Sequence, residues 1–282
     1  PLVDADRYVF GLFAGQPRDP KWQAEVADEA ARLMEEAAEG IYDKTFSGKI
    51  PRRGPHCAKS MGNSMGGGQE VPTGFVHNIV TAIVLTGLLA QKPFQRIAGF
   101  TNALFQTYAP GLHGYYSATL NDLHDWNRRL KRNFLPSVSV FAAATFNFGL
   151  RTVCYPHLDF ANLAWGWCAI TALGDYDPDK GGHLILWDLK LIVRFPPGST
   201  ILIPSALLRH SNTSIQRHEK RFSFTQYTPA GIFRFVGNKF RSDKKVNESV
   251  LTSTEQLERV EARRNRWDEG LKMYRRWEFV HE

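Results

Sequence analysis

Residues 137–148 read SVSVFAAATFNF, and short β-rich runs continue from there to residue 227: RTVCY (151–155), WCAITAL (167–173), HLILWDL (183–189), LIVRF (191–195), STILIP (199–204) and RFSFTQY (221–227). Turn-forming residues separate the runs, as in GDYDPDKGG (174–182) and FPPGS (195–199). Short strands with regular turn signals indicate a sandwich or barrel. No helix-length segment interrupts them, which disfavours a parallel βαβ sheet. The pattern therefore predicts a double-stranded β-helix, or jelly roll.

Helical patterns flank this region on both sides. Residues 20–40 form an amphipathic pattern with Pro20 near its start and Gly40 at its end, which is the usual punctuation of a helix. Further helices are predicted within 75–91, 94–107, 117–132 and 253–277. Residues 44–74 are basic and rich in glycine, and we predict a loop without regular structure there.

These patterns predict an α+β fold in which N-terminal helices and a C-terminal helix pack around a jelly-roll core. We divide the chain into a helical N-terminal region (1–135) that contains the loop 44–74, a jelly-roll core (136–230) and a basic C-terminal extension (231–282), together forming one integrated domain. The longest apolar run, Ile79 to Ala90, is too short to span a bilayer. We therefore expect a buried helix there and no membrane partner. No signal peptide opens the chain and its first residue is Pro1, so we expect a piece of a longer protein.

The formal net charge is +7 over 282 residues, and the distribution of charge is uneven. Residues 217–276 hold fifteen Lys and Arg against eight Asp and Glu, and residues 44–59 hold five basic residues and no acid. Such patches suit a polyanionic partner, because each neutralised phosphate releases counterions; a solvated basic face is an equally good interpretation of charge alone. Three cysteines without a CxxC motif predict neither a structural zinc site nor a disulfide framework, and they fit a reducing intracellular setting.

The motif Tyr155-Pro-His157-Leu-Asp159 lies inside the β-rich region. Alternate residues of a strand point to the same face, so His157 and Asp159 can reach one metal ion. His210 follows the run STILIP. Two histidines and one carboxylate form the facial triad of non-haem Fe(II) oxygenases, which leaves positions open for co-substrate and oxygen.

Two further residues point to the co-substrate. Arg221 lies in the run RFSFTQY, where its guanidinium can pair bidentately with the distal carboxylate of 2-oxoglutarate. Ser223 is two residues further on, on the same face, and can add a hydrogen bond. An HxD motif alone is weak evidence, but HxD followed by His and then Arg-x-Ser in successive strands is a strong pattern.

On these motifs, the stretch from about Thr145 to Arg241 resembles the TET/JBP family of Fe(II)- and 2-oxoglutarate-dependent dioxygenases, and especially its compact fungal members. The resemblance implies oxidation of methyl groups on nucleic-acid bases, with Fe(II), 2-oxoglutarate and O2. It implies iron ligands at His157, Asp159 and His210, and 2-oxoglutarate anchors at Arg221 and Ser223.

The resemblance implies four further roles. His183 and Asn147 match positions that contact 2-oxoglutarate, Asn162 matches a residue that binds the target base, and Tyr227 matches the aromatic that stacks on it. Each has a plainer alternative: His183 as an ordinary strand histidine, Asn162 as a turn cap, Tyr227 as a core residue. Asn147 is open in the same way, whereas Trp165, Trp167 and Phe222 are expected in the core.

Two departures from the family concern the base. Pro229 stands where TET enzymes have a second base-reading histidine, and the Cys-rich zinc region of animal TET proteins is absent. The expected substrate is methylated duplex DNA carrying 5-methylcytosine, oxidised to 5-hydroxymethylcytosine and beyond after base flipping. N6-methyladenine demethylation is the main alternative. A 2-oxoglutarate oxygenase acting on a protein or small molecule, and a non-catalytic DNA-binding module, are the others.

For a DNA substrate, phosphate contacts are expected at Arg52, Arg53 and Lys59, with the basic C-terminal helix as a second candidate. The expected protein is a nuclear monomer with DNA as its partner, without a membrane partner and without structural zinc.

Overall fold

The computed structural model describes residues 1–41, 53–250 and 252–279. The strands are β1 (Leu2–Val3), β2 (Val9–Gly15), β3 (Cys57–Ser64), β4 (Thr73–Gly74), β5 (Ala143–Phe148), β6 (Cys168–Asp175), β7 (Leu184–Leu186), β8 (Leu191–Val193), β9 (Thr200–Ile203), β10 (His210–Asn212) and β11 (Lys220–Tyr227). The helices are α1 (Glu29–Ile41, continuing a π-helical segment Gln23–Asp28), α2 (Ile79–Ala90), α3 (Lys92–Tyr108), α4 (Pro110–Trp126), α5 (Ala230–Gly237), α6 (Asp243–Glu248) and α7 (Ser253–Leu271).

Two antiparallel sheets form the β core. The larger has the order β1-β2-β9-β6-β11-β5-β3-β4, and the smaller has the order β10-β7-β8. Strands that are distant in sequence are neighbours in the larger sheet, and β11 lies between β5 and β6. This crossed strand order, with a second sheet facing the first, is the predicted jelly roll within an α+β fold.

The two faces of the larger sheet have different partners, and the alternation of side chains along each strand decides which residue meets which partner. On β6, Cys168 and Ala172 pack with Leu184 and Leu186 of the smaller sheet. Leu173, the next residue after Ala172, faces the helices instead. The space between the sheets is therefore a separate compartment from the core between sheet and helices.

The helical layer covers the opposite face. Phe146, Phe222 and Phe224 of the central strands are fully buried against α1, α2 and α3, and Phe94 of α3 meets two of these rings edge to face. Aromatic pairs of this kind contribute about 0.5–1.5 kcal/mol beyond the area they bury. Trp165, Trp167 and Phe222 lie in the core, as predicted. The helices thus hold the central strands rigidly from behind, which fixes the side chains on the inner face.

The N-terminal region differs from the prediction of helices and loop. β2 pairs with β9, and β3 pairs with β5, so both extend the larger sheet. The prediction of an irregular loop through 44–74 is therefore wrong for Cys57–Ser64, whereas residues 42–52 lie outside the described residues. The sequence CAKSMGNS has few good strand formers, and its pairing with the exposed edge of β5 outweighs that weak propensity.

Other boundaries also differ. The run RTVCY is not a strand, and Arg151 makes only an isolated bridge to Arg221. The helix predicted within 117–132 ends at Trp126, so the basic run RRLKR (128–132) follows the helix. The helix α2 forms as predicted, but Ile79 and Ile83 on its outer side are exposed, so it is only half buried. In the part of the chain that the structure describes, no helix is long and apolar enough to cross a membrane.

Candidate active site

His157 and His210 are held together by the backbone. Each donates its amide hydrogen to the carbonyl oxygen of the other at 3.0 Å, which forms an isolated antiparallel bridge. The bridge lies at the start of β10, on the smaller sheet. It places the two imidazole centroids 4.3 Å apart. Two residues 53 positions apart in sequence thus become fixed neighbours at the entrance to the compartment between the sheets.

The hydrogen bonds of the two rings determine their tautomers. His157 Nδ1 lies 2.7 Å from the Tyr155 carbonyl oxygen, and His210 Nδ1 lies 2.8 Å from the Leu208 carbonyl oxygen. A carbonyl oxygen can only accept, so both Nδ1 atoms carry a hydrogen, and in the neutral form of each ring the lone pair lies on Nε2. Burial and the neighbouring His210 also lower the pKa of His157, which favours its neutral form. Both Nε2 atoms are therefore prepared as metal donors.

Asp159 completes the cluster. Its Oδ1 lies 3.7 Å from His157 Nε2, and its Oδ2 lies 3.9 Å from His210 Nε2. Candidate ligand atoms of the three residues all lie within 4.8 Å of one another. The Asp159 amide donates to the Ser205 carbonyl oxygen at 2.9 Å, which ties the motif to the turn after β9. Two imidazoles and one carboxylate converging in this way have the donor set of a facial triad.

The sequence did not reveal that Arg53 contacts this cluster. Arg53 Nη2 lies 2.6 Å from Asp159 Oδ1. The two atoms form an ion pair without the alignment of a hydrogen bond, so the buried Oδ1 keeps no hydrogen-bond donor. The Arg53 carbonyl oxygen accepts from the Tyr155 amide at 2.8 Å, which holds the arginine beside the HxD motif. In this structure the guanidinium is paired with Asp159, although the side chain remains 45% exposed.

Arg221 lies deeper in the same compartment. The residue is 3% exposed, and its Nη1 donates to the Thr152 carbonyl oxygen at 3.2 Å. Its Nε has no hydrogen-bond partner, and among the described residues no carboxylate forms an ion pair with it. A buried charge without a counter-ion is costly. The arrangement therefore favours an anionic ligand beside Arg221.

Ser223 and Asn147 lie next to Arg221 on the inner face of neighbouring strands. They are paired across β11 and β5, and Asn147 Nδ2 donates to Ser223 Oγ at 2.9 Å. Since Ser223 Oγ accepts this bond, its own hydrogen remains available for another acceptor. Both residues line a cavity of about 70 Å³ together with His157, Asp159, His210 and Arg221. At about 10–15 Å³ for each water, this cavity suits a small polar molecule.

Asn162 and Tyr227 line the same cavity. Asn162 Nδ2 donates to Ser205 Oγ at 3.2 Å, and the Tyr227 hydroxyl accepts from Thr145 Oγ1 at 3.4 Å. Pro229 makes an isolated bridge with Asn162. The structure thus brings Asn162 and Tyr227 to the metal cluster, and it places Pro229 beside Asn162.

Two predicted site residues that the structure describes are not brought into the cavity. His183 is absent from its lining, and its Nδ1 lies 3.3 Å from Thr213 Oγ1. Lys59 lies on the opposite face of β3 from Ser60, whose hydroxyl contacts Thr145 inside the compartment at 2.6 Å. Arg52 lies outside the described residues.

Further cavity residues were missed by sequence reasoning. Thr225 continues the alternation of Arg221, Ser223 and Tyr227 on β11, so period-two counting could have identified it. Cys154 lines the cavity as well; its Sγ lies 3.9 Å from His56 Nε2, and burial raises the pKa of its thiol. The spacing of residues gave no signal for Cys154, and Arg53, which was predicted as a phosphate contact, lines the cavity as well.

No protein-family profile matches the chain. No curated protein sequence matches it either. Solved structures do overlay on it. NgTET1 in complex with 5mC DNA shares 16% identity at a TM-score of 0.38, covering 73% of this chain and 70% of that one. OsALKBH1 shares 11% identity at a TM-score of 0.37, covering 71% and 91%. An oxidoreductase of the 2OG-Fe(II) oxygenase family from Burkholderia pseudomallei shares 18% identity at a TM-score of 0.34, covering 64% and 73%.

The solved structures similar to this chain thus include a TET protein and a 2OG-Fe(II) oxygenase. At these identities and TM-scores the activity of the chain has to follow from its own side chains.

Proposed function

We propose that this protein is an Fe(II)- and 2-oxoglutarate-dependent dioxygenase. One observation supports the proposal above all others. A single small cavity contains three converging donors, from His157, Asp159 and His210, and a buried guanidinium without a counter-ion, Arg221. A metal ion fits the three donors, and an anion such as the distal carboxylate of 2-oxoglutarate fits the guanidinium.

The residues fit an iron ion and 2-oxoglutarate. Each neutral histidine presents a lone pair on Nε2, and Oδ2 of Asp159, 3.9 Å from His210 Nε2, is the carboxylate oxygen that is not paired with Arg53. Arg221 and the free hydroxyl hydrogen of Ser223 would hold the distal carboxylate of 2-oxoglutarate. When bound, iron and 2-oxoglutarate supply the oxidation of a C–H bond by O2, with succinate and carbon dioxide as co-products. The side chains orient the reactants, and the apolar wall of the two sheets limits the access of water.

For the substrate we infer a methylated base in DNA. Asn162 can offer its amide to the edge of a base, and the half-buried ring of Tyr227 can stack on its face. A methyl group on a paired base is out of reach, so the base must flip out at a cost of a few kcal/mol. Stacking of the flipped base on an aromatic ring offsets about 1–3 kcal/mol of that free energy. The surplus of basic residues in 217–276 supports a polyanion as the partner, and a DNA substrate suits a nuclear location.

The base itself is open between two candidates. 5-Methylcytosine, oxidised to 5-hydroxymethylcytosine and further forms, is the first. N6-Methyladenine is the second, because Pro229 offers no side-chain hydrogen bond beside Asn162 that would select cytosine. A hydroxymethyl group on carbon is stable, whereas one on nitrogen is lost as formaldehyde. The same site chemistry would therefore oxidise the first base and demethylate the second.

The test is to incubate the protein with Fe(II), 2-oxoglutarate and duplexes carrying either methylated base. Succinate, formaldehyde and the nucleosides are then measured, the last by mass spectrometry. We expect base oxidation or demethylation that is matched by succinate. Asp159→Asn should abolish both, whereas Asp175→Asn, an exposed carboxyl at the end of β6, should leave both intact.

Two results would contradict the proposal in different ways. Succinate formation that no methylated nucleic acid stimulates would favour a protein or small molecule as the substrate. Unchanged activity of Asp159→Asn would remove the metal centre from the mechanism and leave a DNA-binding module as the better interpretation.

A further inference from the structure

A groove of about 740 Å³ adjoins the active-site cavity. We name it the α7 groove; one side is formed by helix α7, and the other by residues 160–165 and 230–246. Asn162 lines both the groove and the cavity. The groove and the cavity therefore lie side by side at this residue.

The inner face of α7 lines the groove with charged side chains. The lining residues recur at helical spacing, as Glu255, Glu258, Arg259, Ala262, Arg263 and Arg266. A helix of a globular protein normally buries an apolar stripe. Within the described chain, α7 buries only Gly270, which lies against Trp165. Packing against the rest of the protein therefore does not explain why this face of α7 carries charged side chains.

The groove has an excess of positive charge. Six cations line it, Arg234, Lys239, Arg241, Arg259, Arg263 and Arg266, against the three acids Asp243, Glu255 and Glu258. Arg234 pairs with Asp243 at 3.2 Å, and the other five cations form no ion pair with any described residue. The carboxylate of Glu255 is occupied by the capping box at Thr252. The charge of the groove is thus left for an external anion.

Aromatic side chains lie among these cations. Phe160 follows the metal ligand Asp159 directly, lines the groove, and is 72% exposed. Tyr115 and Phe233 stack on each other in the groove wall with centroids 4.9 Å apart. Cationic grooves that also contain aromatic rings are characteristic of surfaces that hold a nucleic-acid strand. An acidic peptide would need the charges but not the exposed ring.

We propose that the α7 groove binds the sugar-phosphate strand that flanks the target base, with Arg263 and Arg266 contacting phosphates. The proposal rests on the proposed function in its choice of nucleic acid. It assigns the phosphate contacts to the C-terminal helix, since Arg53 is paired with Asp159 and Lys59 faces away from the cavity.

The test compares the double variant Arg263→Gln/Arg266→Gln with Arg264→Gln. Arg264 is exposed on the same helix but does not line the groove. Glutamine is a good helix former, so both variants keep α7, and circular dichroism checks this. Binding of a fluorescent, unmethylated short duplex is followed by anisotropy without iron or 2-oxoglutarate, between about 50 and 200 mM salt.

We expect the double variant to lower the slope of log affinity against log salt by about 1.8, as two lost phosphate contacts require. Its affinity should fall by at least about tenfold at the lower salt concentrations, whereas Arg264→Gln should stay close to wild type. An unchanged slope in the double variant, or an equal loss in Arg264→Gln, would overturn the proposal. If polyglutamate competes with the labelled duplex as strongly as unlabelled DNA of equal charge does, the groove binds an acidic peptide. That result would also overturn the proposal.

The outcome is separable from that of the proposed function, because binding is measured without the metal. Groove-dependent binding with no oxidation of any methylated base would support the groove and refute the base-oxidising function. If the double variant binds DNA and oxidises the methylated base as the wild type does, the groove proposal is refuted and the proposed function is retained.

Discussion

Replacing Arg221 by glutamine should abolish the response of the protein to 2-oxoglutarate while leaving its fold intact. The side chain is buried and has no carboxylate partner in the described chain, so no internal ion pair is lost. The change removes a contact of Nη1 with the Thr152 carbonyl oxygen, which the glutamine amide can replace in part. Without ligand, we therefore expect only a small change in the free energy of unfolding.

The effect on the ligand is much larger. Removing one partner of a buried, hydrogen-bonded charge pair costs about 2–5 kcal/mol, and the bidentate geometry open to Arg221 places this case at about 3 kcal/mol or more. The affinity should fall by roughly a hundredfold or more. Ligand at about a hundred times its wild-type dissociation constant stabilises the wild-type fold by about 2.7 kcal/mol, but the variant by at most about 0.4 kcal/mol.

The assay is thermal or denaturant unfolding in Mn(II) under anaerobic conditions, with and without 2-oxoglutarate. The control is Arg151→Gln, because Arg151 is exposed, donates to the Ile215 carbonyl oxygen at 3.2 Å and forms a backbone bridge with Arg221. This control should keep the full stabilisation. A ligand-induced shift of wild-type size in Arg221→Gln would refute the reasoning, because the buried charge would then not be the carboxylate anchor.

Four other changes have defined outcomes. Asp159→Ala should weaken Mn(II) or Fe(II) binding by at least about tenfold, measured by calorimetry, since one of three ligands is lost; unchanged binding would exclude the cluster. Asn147→Ala should raise the KM for 2-oxoglutarate by about 5- to 30-fold, because the Ser223 hydroxyl loses the hydrogen bond from Asn147 that orients it, a bond of about 1–2 kcal/mol. A KM within twofold of the wild-type value would contradict this role. Gly270→Ala places a Cβ 2.4 Å from the Trp165 ring and should lower the free energy of unfolding by about 1–3 kcal/mol. In the control Gly237→Ala the new Cβ meets nothing within 4 Å, so this change should be neutral or stabilising. Equal effects of the two variants would argue against the packing of α7 on Trp165. Burial lowers the pKa of His56, so its contribution to stability is present above its unfolded pKa of 6.5 and is lost as pH falls below that value. His56→Gln should therefore flatten the fall in the free energy of unfolding between about pH 7 and 5, the range in which histidine titrates. An equally steep profile in the variant would refute this account.

The period-two alternation of the sequence predicted much of the core of the site. The pattern in β11 placed Arg221 and Ser223 on one face, and the structure confirms that both face the cavity. The HxD motif and His210 converge as predicted. Local geometry suffices in these cases, because a strand forces alternate residues to one side.

Long-range pairing was beyond the sequence patterns. The polar run Cys57–Ser64 becomes a strand only because β5 offers it an unpaired edge. Arg53 reaches Asp159 across more than a hundred residues, and no spacing rule connects them. The charged helix α7 was visible in the sequence, but the sequence did not show that its inner face lines a groove that shares Asn162 with the cavity.

The sequence by itself thus determined the donor types, their order along the chain and the jelly-roll pattern, since these depend on residue identity and strand periodicity. Only the tertiary structure decided which cations are paired and which remain free. That distinction depends on distances between segments far apart in sequence. It pairs Arg53 with Asp159, and among the residues that the structure describes it gives Arg263 and Arg266 no ion-pair partner.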